Sequence, residues 1–452
     1  MTTTSSYRER LERTILAPTV RTHWSYNLFV VAMALIVAWG GYALYTQLRT
    51  GLIVTGMRDQ VFWGLYITNF VFFIGISHAG TLISAILRVT QAGWRTSVTR
   101  MAEVITAVSL MVGAAQIFFD MGRLDRILNL LIYGRFQSPL IWDVMAVSTY
   151  LTGSMIYLYI PMIPDLALQR DRLRGVVAPW QHKIYTILAV GWTGTAEQQR
   201  RLHRAINIMA VLIIPIAVSV HTVVSWVFAM TLRPGWNSTA FGPYFVVGAI
   251  FSGIAAIIVA MAIFRKMFHL EEYVTEKQFR YLGYLLLAFA GIYAYFTFGE
   301  YLTMWYKLAG DEKELLALLF VGAQAPAFWF FVVGTLLIPG LLLALPWTRT
   351  IPNIVLASTL VVVGMWVKRF VVVVPTLQVP MMPVEFGHYT PTWVEWSITA
   401  ASVAGFFLLY ALFARFFTVI SVWEVAEEEE EKQAAVGVAV ETQAGRSNEL
   451  TR

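Results

Sequence analysis

Two histidines, His78 in Ile-Ser-His-Ala-Gly and His221 in Val-His-Thr-Val-Val-Ser-Trp, stand inside long apolar runs. Acidic residues mark the ends of neighbouring runs: Glu103, Asp120 in Phe-Phe-Asp-Met-Gly-Arg, and Asp143 in Ile-Trp-Asp. Further along, Glu300, Lys368, Arg369 and Glu395 fall within apolar runs, and Glu385 and His388 precede the last one. Imidazole titrates near neutral pH and a carboxylate accepts a proton within hydrogen-bond reach, so such a set suits proton transfer. Ionisable groups at membrane depth are costly, which makes each a candidate for function. The competing explanation is an interfacial or packed, hydrogen-bonded residue. It weighs most for Glu103, Asp120, Asp143, Glu300 and Glu395, close to water, and least for the two deeper histidines.

The chain has no cysteine. That excludes disulfides, thiolate zinc sites and cysteine-held iron–sulfur clusters within it. A b-type haem held by two histidines would need them level on facing helices. Counting from the centres of their runs sets His78 inward and His221 outward, a mismatch of roughly 10 Å at 1.5 Å per residue. No haem is expected.

The elements that must position these residues follow from composition. Of 452 residues, 58% are hydrophobic and 13% charged, against about 45–50% and about 25% in soluble domains. So little charge cannot cover a soluble surface of this size, and it excludes a nucleic-acid binder despite the net charge of +6. Ten apolar runs are long enough for membrane helices. They lie near 28–48, 61–87, 102–119, 140–163, 206–232, 244–264, 281–306, 315–345, 354–374 and 393–420. None has the dyad alternation of a barrel strand. The fold class expected is an all-α integral membrane protein of ten transmembrane helices. The first twenty residues hold no apolar signal-peptide core.

Of the 33 basic residues, 23 fall in the N-terminal tail, the even-numbered loops, the C-terminal tail and the adjoining end of the last run (Arg415), and eight in the odd-numbered loops. By the positive-inside rule both termini are then cytoplasmic. The division expected is a cytoplasmic tail and first flanking helix at 1–60, a four-helix bundle at 61–232 and a second at 233–375. An outer loop and last helix follow at 376–421, then a disordered acidic tail at 422–452. Phe70, Phe72 and Phe73, before His78 on one run, could wall a flat ligand, although such a helix face is more often plain packing.

The run from Phe62 to Arg88, Phe-Trp-Gly-Leu-Tyr-Ile-Thr-Asn through Ser-His-Ala-Gly to Ile-Leu-Arg, resembles the NrfD/polysulfide-reductase membrane subunits. So do Arg100-Met-Ala-Glu103, Gln116-Ile-Phe-Phe-Asp120-Met-Gly-Arg123, Pro139-Leu-Ile-Trp-Asp143, and Lys368-Arg369 followed by Val-Val-Val-Val-Pro375-Thr376. Within that family the chain is most similar to the ActC-type component of bacterial alternative complex III, over about residues 25 to 420. The resemblance implies two four-helix bundles with flanking helices, in a multi-pass subunit of the bacterial cytoplasmic (inner) membrane. It implies oxidation of menaquinol at the outer side of the first bundle, as part of a respiratory or photosynthetic oxidoreductase complex. Electrons would pass to an iron–sulfur subunit on the outer face and on to c-type haem subunits, with a second NrfD-like subunit alongside. The missing cysteines agree: this chain would handle menaquinol and menaquinone while partners hold the metals.

Quinol oxidation releases two protons, and a histidine oriented by a carboxylate can take one. The leading pair is His78 with Asp120, Arg123 orienting Asp120, although His78 counts as deeper than Asp120. Glu103, His221 and Asp143 would form a staggered proton ladder, with Glu300, Lys368 and Arg369 as candidates in the second bundle. Two other classes stay open: an ion or solute secondary transporter, and a purely structural membrane anchor.

Overall fold

The computed structural model describes residues 2–20, 23–268 and 270–430, and among them it is helical, with short connections. Helix α1 (Thr2–Val20) leads into α2 (Trp24–Thr50), and α3 (Leu65–Val89), α4 (Thr99–Met121), the short α5 (Ile127–Ile132) and α6 (Pro139–Arg172) follow. Next come α7 (Pro179–Leu188), α8 (Ala196–Ala229), α9 (Phe241–Met267), α10 (Glu276–Lys307) and α11 (Gly310–Phe320). Helices α12 (Ala325–Trp329) and α13 (Ile338–Ala344) are joined by a π-helical stretch, Phe330–Leu337, and behave as one rod. Helices α14 (Ile351–Gln378) and α15 (Trp393–Phe416) complete the order. Ten of these units are long and apolar enough to cross a membrane, as the sequence leads one to expect.

The first group, α3, α4, α6 and α8, packs around one interior, and α9, α10, α12–α13 and α14 pack around another. Helix α3 also leans on α9 and α14, and joins the two groups. It is buried on nearly every side, as a helix apolar all round must be. Helices α2 and α15 form a separate pair on the flank. Tight crossings need small residues: a Cβ on Gly80 would lie 2.2 Å from the Ala102 carbonyl oxygen, and one on Gly253 2.1 Å from Ala79 Cβ.

Two local expectations need correction, and the N-terminal segment adds an element that hydropathy does not announce. The N-terminal tail is helical, and α1 packs on α15 with Leu11, Ile15 and Leu16 buried. Its amphipathic pattern is too weak in charge contrast to stand out beside the membrane runs. The run 315–345 is broken after α11 by a turn at 321–324, which hydropathy does not register. The acidic tail is ordered at its start: residues 422–430 are helical, and Val422, Glu424, Val425 and Ala426 are buried. The rest of that tail lies outside the described residues.

Candidate functional site

Two stripes face each other inside the first group. On α3, Ser77, Thr81, Ser84 and Arg88 recur at three- and four-residue spacing along one face. On α6, Asp143, Tyr150, Ser154 and Tyr157 share one face at steps of seven, four and three. All eight are buried. Ser84 Oγ donates to Glu103 Oε1 at 2.6 Å and lies 3.2 Å from the Tyr157 hydroxyl. The Tyr150 hydroxyl donates to the Ser77 carbonyl at 3.1 Å, which Thr106 Oγ1 also reaches at 2.7 Å. Between these clusters the Thr81 and Ser154 hydroxyls make no well-formed hydrogen bond among the described residues.

The stripe ends on the histidines. The His78 ring lies 4.6 Å from the Tyr150 ring and 4.4 Å from the His221 ring. His78 Nδ1 is 2.7 Å from the Ile74 carbonyl oxygen, and Nε2 2.7 Å from that of Ala217. A neutral imidazole donates once and an imidazolium twice, so two facing acceptors complement a ring able to take a proton. Both ring nitrogens of His221 are buried without a well-formed hydrogen bond among the described residues. The two histidines are thus level, where residue counting sets them roughly 10 Å apart along the membrane normal. Direct ring contact leaves no gap for a macrocycle between them.

The pairing of His78 with Asp120 does not form. Asn69 bonds Gln116 at 3.4 Å and Thr106 bonds Ser77 at 2.7 Å, which fixes the register of α3 against α4. Asp120 therefore sits about fourteen residues from the level of His78, roughly 21 Å along the helix at 1.5 Å per residue. Arg123 does not orient Asp120 either. It follows Gly122, which ends α4 at φ +67°, and forms an exposed pair with Asp125 at 2.7 Å. Asp120 and Asp143 remain at that end, each with one buried carboxylate oxygen that has no partner among the described residues. Glu395 is fully buried and structural: it accepts from the Gly56 and Thr392 amides at 2.6 and 3.0 Å and from the Tyr389 hydroxyl at 2.5 Å.

The opposite end is closed by ions. Arg88 donates to Glu424 at 2.5 Å, and Arg95 lies 3.9 Å from the same carboxylate. Burial alone would raise the Glu424 carboxyl, but these guanidinium groups outweigh it and hold it below its ordinary range. Arg100 pairs with Asp165 and also donates to Ser421 and Thr418. Trp423 donates its indole N–H to the Pro161 carbonyl at 2.9 Å. The segment after α15 is thereby stapled under Glu103.

Lys368 and Arg369 are each 2% exposed, and neither is within ion-pair distance of a carboxylate among the described residues. Lys368 Nζ donates to the Tyr301 hydroxyl at 3.0 Å and sits about 5 Å from the Tyr244, Tyr301 and Phe331 rings. Cation–π attraction adds to the field of the Glu300 carboxyl, which lies beyond ion-pair distance. Arg369 turns the other way and stacks over Phe245 at 4.8 Å. Gly248 gives it room: a Cβ there would stand 2.8 Å from Tyr293 and 3.3 Å from Arg369 Nη2. Glu300, adjacent to Tyr301 on α10, is also buried.

The stripes of Ser77, Thr81, Ser84, Tyr150 and Tyr157 do not stand out in the sequence as site residues. Their signal is the seven-residue recurrence of hydroxyl side chains on two apolar helices. Among the described residues no three His, Asp or Glu side chains gather as a metal site would require.

Comparison with known proteins bears on this geometry. The chain is 31% identical over 234 residues to the putative membrane component C of a dimethyl sulfoxide reductase of Halobacterium salinarum, covering 51% of this chain and 50% of that one. It thus spans about half the length of that relative. It is 23% identical to the C component of the selenate reductase of Mesobacillus selenatarsenatis, covering 85% and 92%. It is 24% identical to the Hdr-like menaquinol oxidoreductase integral membrane subunit of Archaeoglobus fulgidus, covering 89% and 96%. The family model described as polysulphide reductase, NrfD, matches residues 53–381, a stretch that carries both polar interiors, and the chain belongs to that family.

Proposed function

We propose that this chain is the quinol-handling membrane subunit of an oxidoreductase complex of the alternative complex III kind, and that its substrate is menaquinol. The observation that carries the reading is the run of buried polar side chains from Glu103 through Ser84, Tyr157 and Tyr150 to the His78–His221 contact. A purely structural anchor has no use for such an interior, whose unpaired groups are costly in lipid. The names of two relatives point the same way. One is the menaquinol oxidoreductase subunit of Archaeoglobus, and the other the integral membrane subunit of a menaquinone reductase of Nitratidesulfovibrio vulgaris, 23% identical.

In this reading Asp120 and Asp143, with their unpartnered carboxylate oxygens, accept the quinol's protons at the outer end, and the site is shallower than His78. The electrons leave to an iron–sulfur subunit docked on that face, then to c-type haem subunits, with a second NrfD-like subunit alongside. Exposed Leu128, Leu131, Ile132, Tyr133 and Phe136, in the loop between α4 and α6, supply an apolar surface for docking there. Both termini face the cytoplasm of a bacterium. Glu103, His78, His221 and Asp143 form the route along which protons move, and Lys368, Arg369 and Glu300 extend it into the second group of helices.

The test uses the assembled complex with a menaquinol analogue. Asp143→Asn is expected to lower turnover at least tenfold, while Glu103→Gln lowers the proton-to-electron ratio at near-normal turnover. Full turnover in Asp143→Asn removes the proposed acceptor, and an unchanged ratio in Glu103→Gln removes the route.

A further inference from the structure

The flanking pair α2–α15 packs on α3 and α4 but meets α9 and α14 through ring contacts, Phe264 with Tyr410 at 4.7 Å and Trp366 with Trp396 at 6.1 Å, and a long cavity of about 460 Å³ runs down the seam. On α15 its lining extends from Trp396 to Ala414, about 27 Å at 1.5 Å per residue, close to the hydrocarbon thickness of about 30 Å. Spread over that length, such a volume makes a thin groove. That is far too narrow for a helix about 10–12 Å across and suits a single hydrocarbon chain. Phe72, Phe73, Phe264 and Phe406 supply bulky walls, and alanines such as Ala260 and Ala411 keep the slot open. Among the described residues no charged side chain lines it.

The two ends differ. At the Asp120 end two of the nearby donors are spent: the Trp366 indole N–H donates to Asn69 Oδ1 at 2.8 Å, and Asn69 Nδ2 to Thr399 Oγ1 at 2.9 Å. At the Glu103 end Arg265 and Lys266 stand between the lining residues Phe264 and Met267, and the Lys266 side chain is exposed. We propose that the slot holds one acyl chain of an anionic phospholipid, with the headgroup beside Lys266 and Arg265. Basic residues at a membrane surface favour anionic headgroups, and the chain fills the seam that the helices leave open. This site is separate from the quinol chemistry and does not depend on it.

Quantitative mass spectrometry of phospholipid retained by the protein in mild detergent tests the proposal. About one molecule per chain, enriched in phosphatidylglycerol over phosphatidylcholine after equilibration with mixed vesicles of the two, is expected. Ala260→Trp should lower retention at least fivefold, and Val403→Trp on the opposite wall serves if the first variant does not fold. Lys266→Gln should keep a bound lipid but erase the preference for phosphatidylglycerol. Absence of lipid from the unaltered protein, undiminished retention in a folded filled-slot variant, or a prenylquinone as the retained molecule would each overturn it.

Discussion

The imidazoles of His78 and His221 touch, centroid to centroid at 4.4 Å, on helices that enter the first group from opposite ends. Two groups this close in a dry interior titrate as a unit, and a proton on one ring opposes a proton on the other. The pair is therefore suited to pass one proton at a time between Tyr150 on one side and the outer carboxylates on the other.

Removal of either ring should have the same consequence. His78→Ala and His221→Ala are each expected to slow quinol turnover at least a hundredfold, within the usual range for a lost acid–base group, about 10²–10⁴-fold. The double variant should be no slower than the worse single one. Steady-state rates of the three complexes decide it, and multiplicative losses would show that the rings act independently.

Arg123→Ala should leave turnover within about twofold of the unaltered complex. Its guanidinium pairs with Asp125 on the surface, and exposed pairs of this kind contribute little. A tenfold loss would return Arg123 to the site.

Glu424→Gln should destabilise the protein in detergent by about 3–5 kcal/mol, because it leaves Arg88 buried without its partner. The pH dependence follows from the lowered carboxyl. Its stabilisation is complete above the ordinary carboxylate value, about 4.3, and is lost as the pH falls through the lower folded value. Thermal melts of the unaltered protein should therefore be insensitive to Glu424 between pH 6 and 8. The variant should melt lower throughout that window, and equal melting temperatures would contradict the ion lock.

Gly248→Ala should cost about 1–3 kcal/mol from overpacking, since the new methyl meets the Tyr293 ring at 2.8 Å. The same shift disturbs Arg369, so turnover should fall along with the melting temperature. Gly291→Ala, with open space at that position, is the control expected to leave both unchanged.

Hydropathy alone locates all ten membrane helices, because apolar length is a property of each segment by itself. It misses what depends on two segments at once. His221 reads as out of register because α8 begins at Ala196, ten residues before its apolar run, and because helices that cross do not share a centre. Asp120 is paired with His78 from the sequence because both are family-motif residues on consecutive helices, although counting already sets His78 deeper, and the Asn69–Gln116 and Thr106–Ser77 bonds hold them on different levels. The order at 422–430 is hidden for another reason: acidic residues read as solvated until the arginines that receive them are known. The hydroxyl stripes are legible in principle, as a seven-residue recurrence on α3 and α6, but serine and tyrosine carry no formal charge to draw attention.

Lys368 and Arg369 are neighbours on α14, and successive helix residues point about 100° apart. That single step turns one cation into the aromatic cage of the second group and the other toward the histidines of the first. The two halves thus share a wall and have no clean line of division between them. A chimaera that joins the first four bundle helices of one relative to the last four of another would have to match α14 to both partners, and a chain cut into two half-proteins would leave the first half without the Arg369 charge that faces its histidines.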